Sequence, residues 1–307
     1  MARLGAWVQA GRPLAQIPIL ATILFGQALA HGIRGAFSAR QLALVSTLAV
    51  LIGLLVVFAN DAVDVGVDVA NANANPFGGS SRVVPEHRIA PFSLIVAALV
   101  SLLGVGALAA YLSLVAWRPW MLVIASMTAH LTWMYGFPPF RLSYRGYGEV
   151  LQGVGTVLLV VIGYYGAAST LEGLRPALLV APYLLGHATN VTTGLADTPA
   201  DERAGKRTLS VRRGELSARR TVLVEIALAG VATPLALGVA ARGTPENAVA
   251  VASALSAAVA GATVILGLRI ASRADSSDPP LCRRFMVTAH AGIVASFLAW
   301  SLALFTA

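Results

Sequence analysis

Nine long apolar runs, at about residues 13–33, 41–62, 90–115, 119–138, 148–168, 175–196, 219–241, 246–269 and 284–305, alternate with short polar stretches rich in arginine. Each approaches the roughly 20 residues a helix needs to cross the ~30 Å hydrocarbon layer of a bilayer. Continuous hydrophobicity of this kind predicts helices buried on most sides, so the pattern gives spans but little rotational phase. The expected fold is therefore an all-α polytopic membrane bundle of nine helices. Nothing between the spans is long enough for a separate soluble domain, which leaves residues 1–307 as a single domain.

Arginine orients the bundle. Placing the N-terminus in the cytoplasm puts 17 of the 22 lysines and arginines on that side and five (Arg34, Arg40, Arg118, Arg175 and Arg242) on the other. This asymmetry predicts an N-in, C-out topology in a bacterial inner membrane. Arg3, Arg12, the stretch Ile17–Ala30 and the small residues Ala28 and Ala30 imitate a secretory leader with its cleavage site. Pro13–Ile33 is nonetheless long enough to span, and retention as the first span is the simpler expectation.

Composition sharpens the solvent assignment. The chain is 57% hydrophobic, only 12% charged, and has a mean hydropathy of +0.75. The net charge of +8 sits in short loops beside the spans, as expected for contact with lipid headgroups, and the absence of a separate basic domain argues against a nucleic-acid partner. The lone Cys282 excludes an intramolecular disulfide and a cysteine-rich metal site.

The scarce acidic residues are not scattered. Asn60-Asp61-Ala62-Val63-Asp64-Val65-Gly66-Val67-Asp68 and Asp197-Thr198-Pro199-Ala200-Asp201-Glu202 close the second and sixth spans, both on the arginine-rich side. Each precedes one of the two longest loops, about 63–89 and 197–218, and the four-span offset suggests two related half-bundles facing a common cavity. On continuous helices, Asp61, Asp64 and Asp68 fall within about 60° of one another, and Asp197 and Asp201 within about 40°. A single aspartate at a membrane edge is ordinarily a cap or a topology marker. Five of them in two helically spaced arrays would repel one another beside hydrocarbon unless cations intervened. All-oxygen ligands suit a hard divalent ion, and magnesium prefers to share its coordination with substrate phosphates. The sequence thus predicts magnesium–diphosphate chemistry at a bilayer face; an EF-hand is excluded, because no twelve-residue oxygen-ligand loop ending in Glu follows Asp61 or Asp197.

Weaker candidates remain open. Tyr135, Tyr144, Tyr147, Tyr164 and Tyr165 either line the cavity or anchor helices, and His187 and Asn190 either face the pocket or form buried hydrogen bonds. His31, His130 and His290 lack ligand spacing. Gly78-Gly79-Ser80-Ser81 fits a phosphate-curling loop or a flexible cap turn. Gly153, Gly155, Gly163 and Gly166 permit close helix contact, within one bundle or between subunits.

The two arrays, N-D-x-x-D-x-x-x-D at 60–68 and D-x-x-x-D-x-x-x-G-K-x-T-L at 197–209, resemble the signature motifs of the UbiA superfamily of intramembrane prenyltransferases. Asn75-Pro76-Phe77-Gly78-Gly79-Ser80-Ser81-Arg82-Val83-Val84 and the segment from Tyr135 to Glu149 extend the resemblance, the latter toward the quinone and menaquinone branch. It implies a nine-helix bundle with a cytoplasmic cap formed by the loops after the second and sixth spans. It further implies magnesium as cofactor, held by Asn60, Asp61, Asp64, Asp68, Asp197 and Asp201. Asn60, Arg82, Arg141, Tyr144, Arg145 and Lys206 are implied to contact diphosphate, with Asp64, Asp197, Lys206 and Arg145 central to catalysis. The implied activity is transfer of a prenyl group from a prenyl diphosphate to a hydrophobic or aromatic acceptor. Thr193-Gly194-Leu195-Ala196 departs from the pattern by lacking the Asn or Arg often found before Asp197, so acceptor identity stays open and a terpene-cyclase outcome is the alternative.

Overall fold

The computed structural model of the protein describes residues 2–70, 80–240 and 246–306. Asn75–Gly79 of the first long loop and Arg242 fall outside these residues. Thirteen α-helices follow in order, with no strand among the described residues: α1 (Ala2–Ala10), α2 (Pro13–Arg34), α3 (Ala39–Val63), α4 (Val65–Ala70), α5 (Pro91–Leu114), α6 (Met121–Gly136), α7 (Gly148–Ala168), α8 (Val180–Gly194), α9 (Thr198–Arg203), α10 (Leu209–Arg213), α11 (Glu215–Ala240), α12 (Glu246–Ala271) and α13 (Pro279–Phe305).

Local chemistry explains the boundaries. Proline occupies the first turn of α2, α5 and α13, where its missing N–H costs nothing. Ser38 and Asp278 cap α3 and α13 by accepting from Gln41 N and Leu281 N. α2 ends where Gly35, at φ 65°, donates its N–H to the His31 carbonyl and Ala36 donates to that of Ala30.

All nine predicted runs contain a helix. Among the described residues, seven helices (α2, α3, α5, α7, α11, α12 and α13) are long and apolar enough to cross a membrane. The other two runs are shorter than the sequence suggests. α6 stops at Gly136, before Phe137-Pro138-Pro139, and α8 starts only at Val180, after a 3-10 turn over Pro176–Leu179. Their 16 and 15 residues measure roughly 24 and 22 Å, less than a full hydrocarbon thickness. Arg219 is buried at 2% exposure and donates to the carbonyls of Ala271 and Ala274, satisfying the end of α12.

Lipid tails are as apolar as leucine, so close packing and interhelical hydrogen bonds hold such a bundle more than hydrophobic burial does. The α2–α7 seam shows this. A Cβ on Gly26 would lie 2.3 Å from Val160 O, and one on Gly163 would lie 2.5 Å from Ile23 O. Gln27 Nε2 donates across the same seam to Gly163 O at 2.9 Å, an interaction worth on the order of 0.6 kcal/mol in hydrocarbon. Gly153 and Gly166 likewise make contacts within the bundle, whereas Gly155 faces a cavity. Phe25, Phe297 and Trp300 pack at tilted and edge-on angles at the junction of α2 and α13, with Trp300 Nε1 donating to Ser256 Oγ at 2.6 Å. Leu99, Val100 and Leu103 of α5 and Ile265, Leu266 and Leu268 of α12 are exposed, as a hydrocarbon-facing surface requires.

Candidate active site

Six helices surround a cavity of about 240 Å³. Their helical spacing makes its walls: Gly53, Val56, Val57 and Asn60 form one face of α3, Thr128, Leu131, Thr132 and Tyr135 one face of α6, and Leu151, Gln152, Gly155, Thr156 and Leu159 one face of α7. α2, α8 and α13 close the remainder, with Ile293 and Phe297 on the α13 side. The walls are mainly apolar, while Arg12 and Asn60 bring polar groups to the end where α2 begins and α3 finishes.

The acidic arrays gather at that end, though not as two continuous carboxylate faces. α3 stops at Val63 and α4 starts at Val65, leaving Asp64 at the break with φ −90° and ψ 15°. The break separates the array's partners. Asp61, 1% exposed, is bonded by Arg12 and Ser81, whereas Asp64 accepts from Tyr144 Oη at 2.8 Å and from Lys206 Nζ at 2.8 Å.

In the second array, Asp197 caps α9, accepting through its carbonyl from the N–H groups of Ala200 and Asp201 at 2.9 and 2.8 Å. Gly205, at φ 73°, then folds the chain back so that Lys206 N donates to Asp201 O at 2.9 Å. This turn aims Lys206 Nζ between the arrays, 2.8 Å from Asp64 and 3.6 Å from Asp201. The segment is anchored from beneath: buried Glu149 accepts from Leu209 N at 2.5 Å, and Arg207 N donates to Tyr144 O at 3.2 Å.

Burial and like charge shape the electrostatics. Desolvation pushes Asp68 up to about 7, assisted by Asp61 and Asp64. Asp201 also rises to about 7 through desolvation, although Lys206 opposes the shift. Burial pulls Lys206 down, but Asp64 and Asp201 outweigh it and hold the ammonium well above its ordinary range. Tyr144 reaches about 12 because it is desolvated and faces Asp64. Lys206 and the Arg141 guanidinium lie 4.9 and 4.2 Å from the centre of the Tyr144 ring, two cation–π contacts that help hold the phenol against Asp64.

The remaining predicted residues divide. Asn60 lines the cavity, and Arg82 reaches the carbonyl of Asp68 at 3.3 Å. Arg145 turns away from the cluster: its exposed side chain donates to Pro139 O at 3.0 Å. Among the described residues no three carboxylates converge as a ready metal cage; Lys206 and Arg12 stand among them. The donor set still fits a hard cation, since it is entirely oxygen and pairs with phosphate-type cations. Asn190 faces the cavity and donates to Tyr135 Oη at 3.2 Å, while His187 turns to α11, with Nδ1 2.8 Å from Glu225. Arg12 is the residue that sequence reasoning missed. Beside Pro13 at the start of a span it carries the ordinary mark of a topology-setting arginine, and only tertiary structure pairs it with Asp61.

A membrane-embedded helical bundle with two aspartate arrays at the mouth of an apolar cavity is the architecture of an intramembrane enzyme handling an amphiphilic anion. The UbiA prenyltransferase family matches residues 19–289, and the chain belongs to this family of prenyl-transferring enzymes. It is 31% identical over 237 residues to the 1,4-dihydroxy-2-naphthoate octaprenyltransferase of Mycobacterium tuberculosis, covering 76% of this chain and 78% of that protein. The Escherichia coli protein of the same name is 31% identical over 232 residues, with 72% of each chain covered. The fold superimposes on a UbiA homologue from Archaeoglobus fulgidus bound to DMAPP and Mg2+ with a TM-score of 0.67 at 17% identity, covering 96% of this chain and 99% of that one. A digeranylgeranylglyceryl phosphate synthase gives 0.63 at 14% identity over all of both chains.

Proposed function

We propose that this protein transfers a prenyl group from a prenyl diphosphate to an aromatic quinone precursor of the dihydroxynaphthoate class, within the membrane and with magnesium. One observation carries the proposal: Lys206 joins Asp64 of one array to Asp201 of the other at the mouth of an apolar cavity. The relatives' names supply the acceptor class. In this arrangement nine helices span the membrane with the N-terminus in the cytoplasm, and the segments around 80–90 and 195–214 cap the cytoplasmic mouth.

Asn60, Asp64, Asp68, Asp197 and Asp201 would hold magnesium with the diphosphate, and Asp61 joins them as Arg12 turns from it to phosphate. Bound magnesium supplies charge neutralisation that makes the diphosphate a better leaving group. Lys206, Arg12, Arg82 and Arg141 bind its oxygens, and Tyr144 orients Asp64. The allylic C1–O bond breaks with its electron pair passing to the diphosphate oxygen. Apolar walls such as Ile52, Leu159 and Phe297 exclude water from the resulting allylic cation. A ring carbon of the acceptor supplies the π pair for the new C–C bond, and loss of the proton from that carbon restores aromaticity.

The test is purified protein in lipid nanodiscs with magnesium, a series of prenyl diphosphates, and 1,4-dihydroxy-2-naphthoate present or omitted, followed by mass spectrometry. A prenylated naphthoid formed only with acceptor is the expected result. A cyclic terpene formed from prenyl diphosphate alone would replace transfer by cyclisation.

A further inference from the structure

The cavity's polar groups can be followed one by one. Six threonines line it, and each spends its hydroxyl proton on a backbone carbonyl of its own helix: Thr22 on Pro18, Thr128 on Ala125, Thr132 on Thr128, Thr156 on Gln152, Thr189 on Leu185 and Thr193 on Asn190. Arg12 is engaged by Asp61, and His290 Nδ1 lies 2.9 Å from the Met286 carbonyl. Asn60 sits with the carboxylates at the mouth. Away from Asn60 at the mouth, the cavity holds one more side-chain amide with no protein hydrogen bond among the described residues, that of Gln152. Tyr135 also lines the cavity; its oxygen accepts from Asn190 and its own proton is still available.

These groups share a depth. Gln152 lies four residues inside the start of α7 and Asn190 four residues before the end of α8, so both sit roughly 6 Å below the ends that carry the arrays. Tyr135 is next to the last residue of α6. The α7–α8 spacing is fixed by Gly186, where a Cβ would lie 2.2 Å from Thr156 Oγ1 and 2.9 Å from Gln152 O. An amide donor–acceptor and a phenol donor thus line the cavity about one helical turn beneath the diphosphate end, among apolar side chains and threonines whose protons go to their own helices. The half-buried Gln152 amide faces a mainly apolar cavity without a protein partner, so this position favours a ligand that brings polar ring substituents to it.

We infer that Gln152, with the Tyr135–Asn190 pair, is the acceptor-reading element: it selects a planar aromatic bearing a hydroxyl or carbonyl oxygen that bonds the Gln152 amide. The inference rests on the prenyl-transfer reading and adds the residue that recognises the second substrate. Sites built to hydrogen-bond a substrate hydroxyl reject analogues lacking it far more strongly than apolar pockets do.

The experiment compares wild type with Gln152→Leu, near in size but without hydrogen bonds, and with Tyr135→Phe. Steady-state kinetics use 1,4-dihydroxy-2-naphthoate and its 1-hydroxy analogue, alongside the KM for prenyl diphosphate with magnesium. Wild type should prefer the dihydroxy compound by about 10⁴-fold in kcat/KM. Gln152→Leu should raise the acceptor KM at least about tenfold and shrink that preference, with the prenyl diphosphate KM within about twofold of wild type. A smaller shift in the same direction is expected for Tyr135→Phe. An unchanged acceptor KM and preference in a Gln152→Leu protein that binds prenyl diphosphate normally would overturn the inference while leaving prenyl transfer intact. Wild-type indifference to the missing hydroxyl would overturn it even if the variant fails to fold. Absence of transfer from wild type to either acceptor would overturn both.

Discussion

The two acidic arrays look alike in sequence and behave differently in the fold. The second, Asp197 and Asp201, stays on one short helix whose return turn delivers its own cation, Lys206. The first is divided by the break at Asp64: Asp61 turns to Arg12 and Ser81, while Asp64 crosses to Tyr144 and Lys206. Electrostatically, Asp64 therefore belongs with the second array. A shared motif fixes residue types; the local backbone decides which neighbour each charge answers to.

The sharpest way to break this comparison is to remove what both arrays are proposed to share. Chelation of divalent ions should abolish turnover, and Asp64→Ala or Asp201→Ala should lower kcat by about three orders of magnitude with membrane insertion intact, measured by product formation in nanodiscs. Near-wild-type activity in either variant would dissolve the link across the arrays. Next in size, Lys206→Ala should cost about 100-fold in kcat/KM for prenyl diphosphate, and Arg12→Ala about tenfold, because Lys206 touches both arrays and Arg12 only one. Equal effects would mean that the two cations serve equivalent roles.

A pH series sharpens the comparison further. Asp68 and Asp201, one from each array, both lie near 7. At pH 6 they hold protons they have shed by pH 8, and a cation must displace those protons to bind. The half-saturating magnesium concentration should therefore rise as pH falls from 8 to 6, by about tenfold for each of the two that ligates the ion. A flat profile would remove both from the binding set. The smallest effect is expected at Arg145, whose contact with Pro139 O lies outside the cluster: Arg145→Ala should change kcat/KM by less than about threefold.

The spans were legible because twenty apolar residues in a row have few alternatives, and the arrays because carboxylates beside hydrocarbon demand an explanation. The split at Asp64 was not legible. Helical spacing assumes a helix that continues, and nothing in Val63-Asp64-Val65 announces the stop. Arg12 was hidden by its ordinariness, since a membrane-edge arginine looks the same whether it faces a lipid phosphate or Asp61. Gln152 was hidden for the opposite reason: in a run without phase, no pattern tells which polar residue meets a cavity and which meets a neighbouring helix.

The contact between Gly26 and Gly163 carries a consequence for how such an enzyme could change over evolutionary time. With backbone already against backbone, that seam can neither tighten nor accept a side chain without prying the helices apart, so the calibre beside it is invariant. A lineage adapting to longer or shorter isoprenoids would have to work like a locksmith with a fixed barrel, filing individual pins. Ile52, Leu159, Ile293 and Phe297 along the bore are those pins, and single exchanges among them are where new tail lengths would first be written.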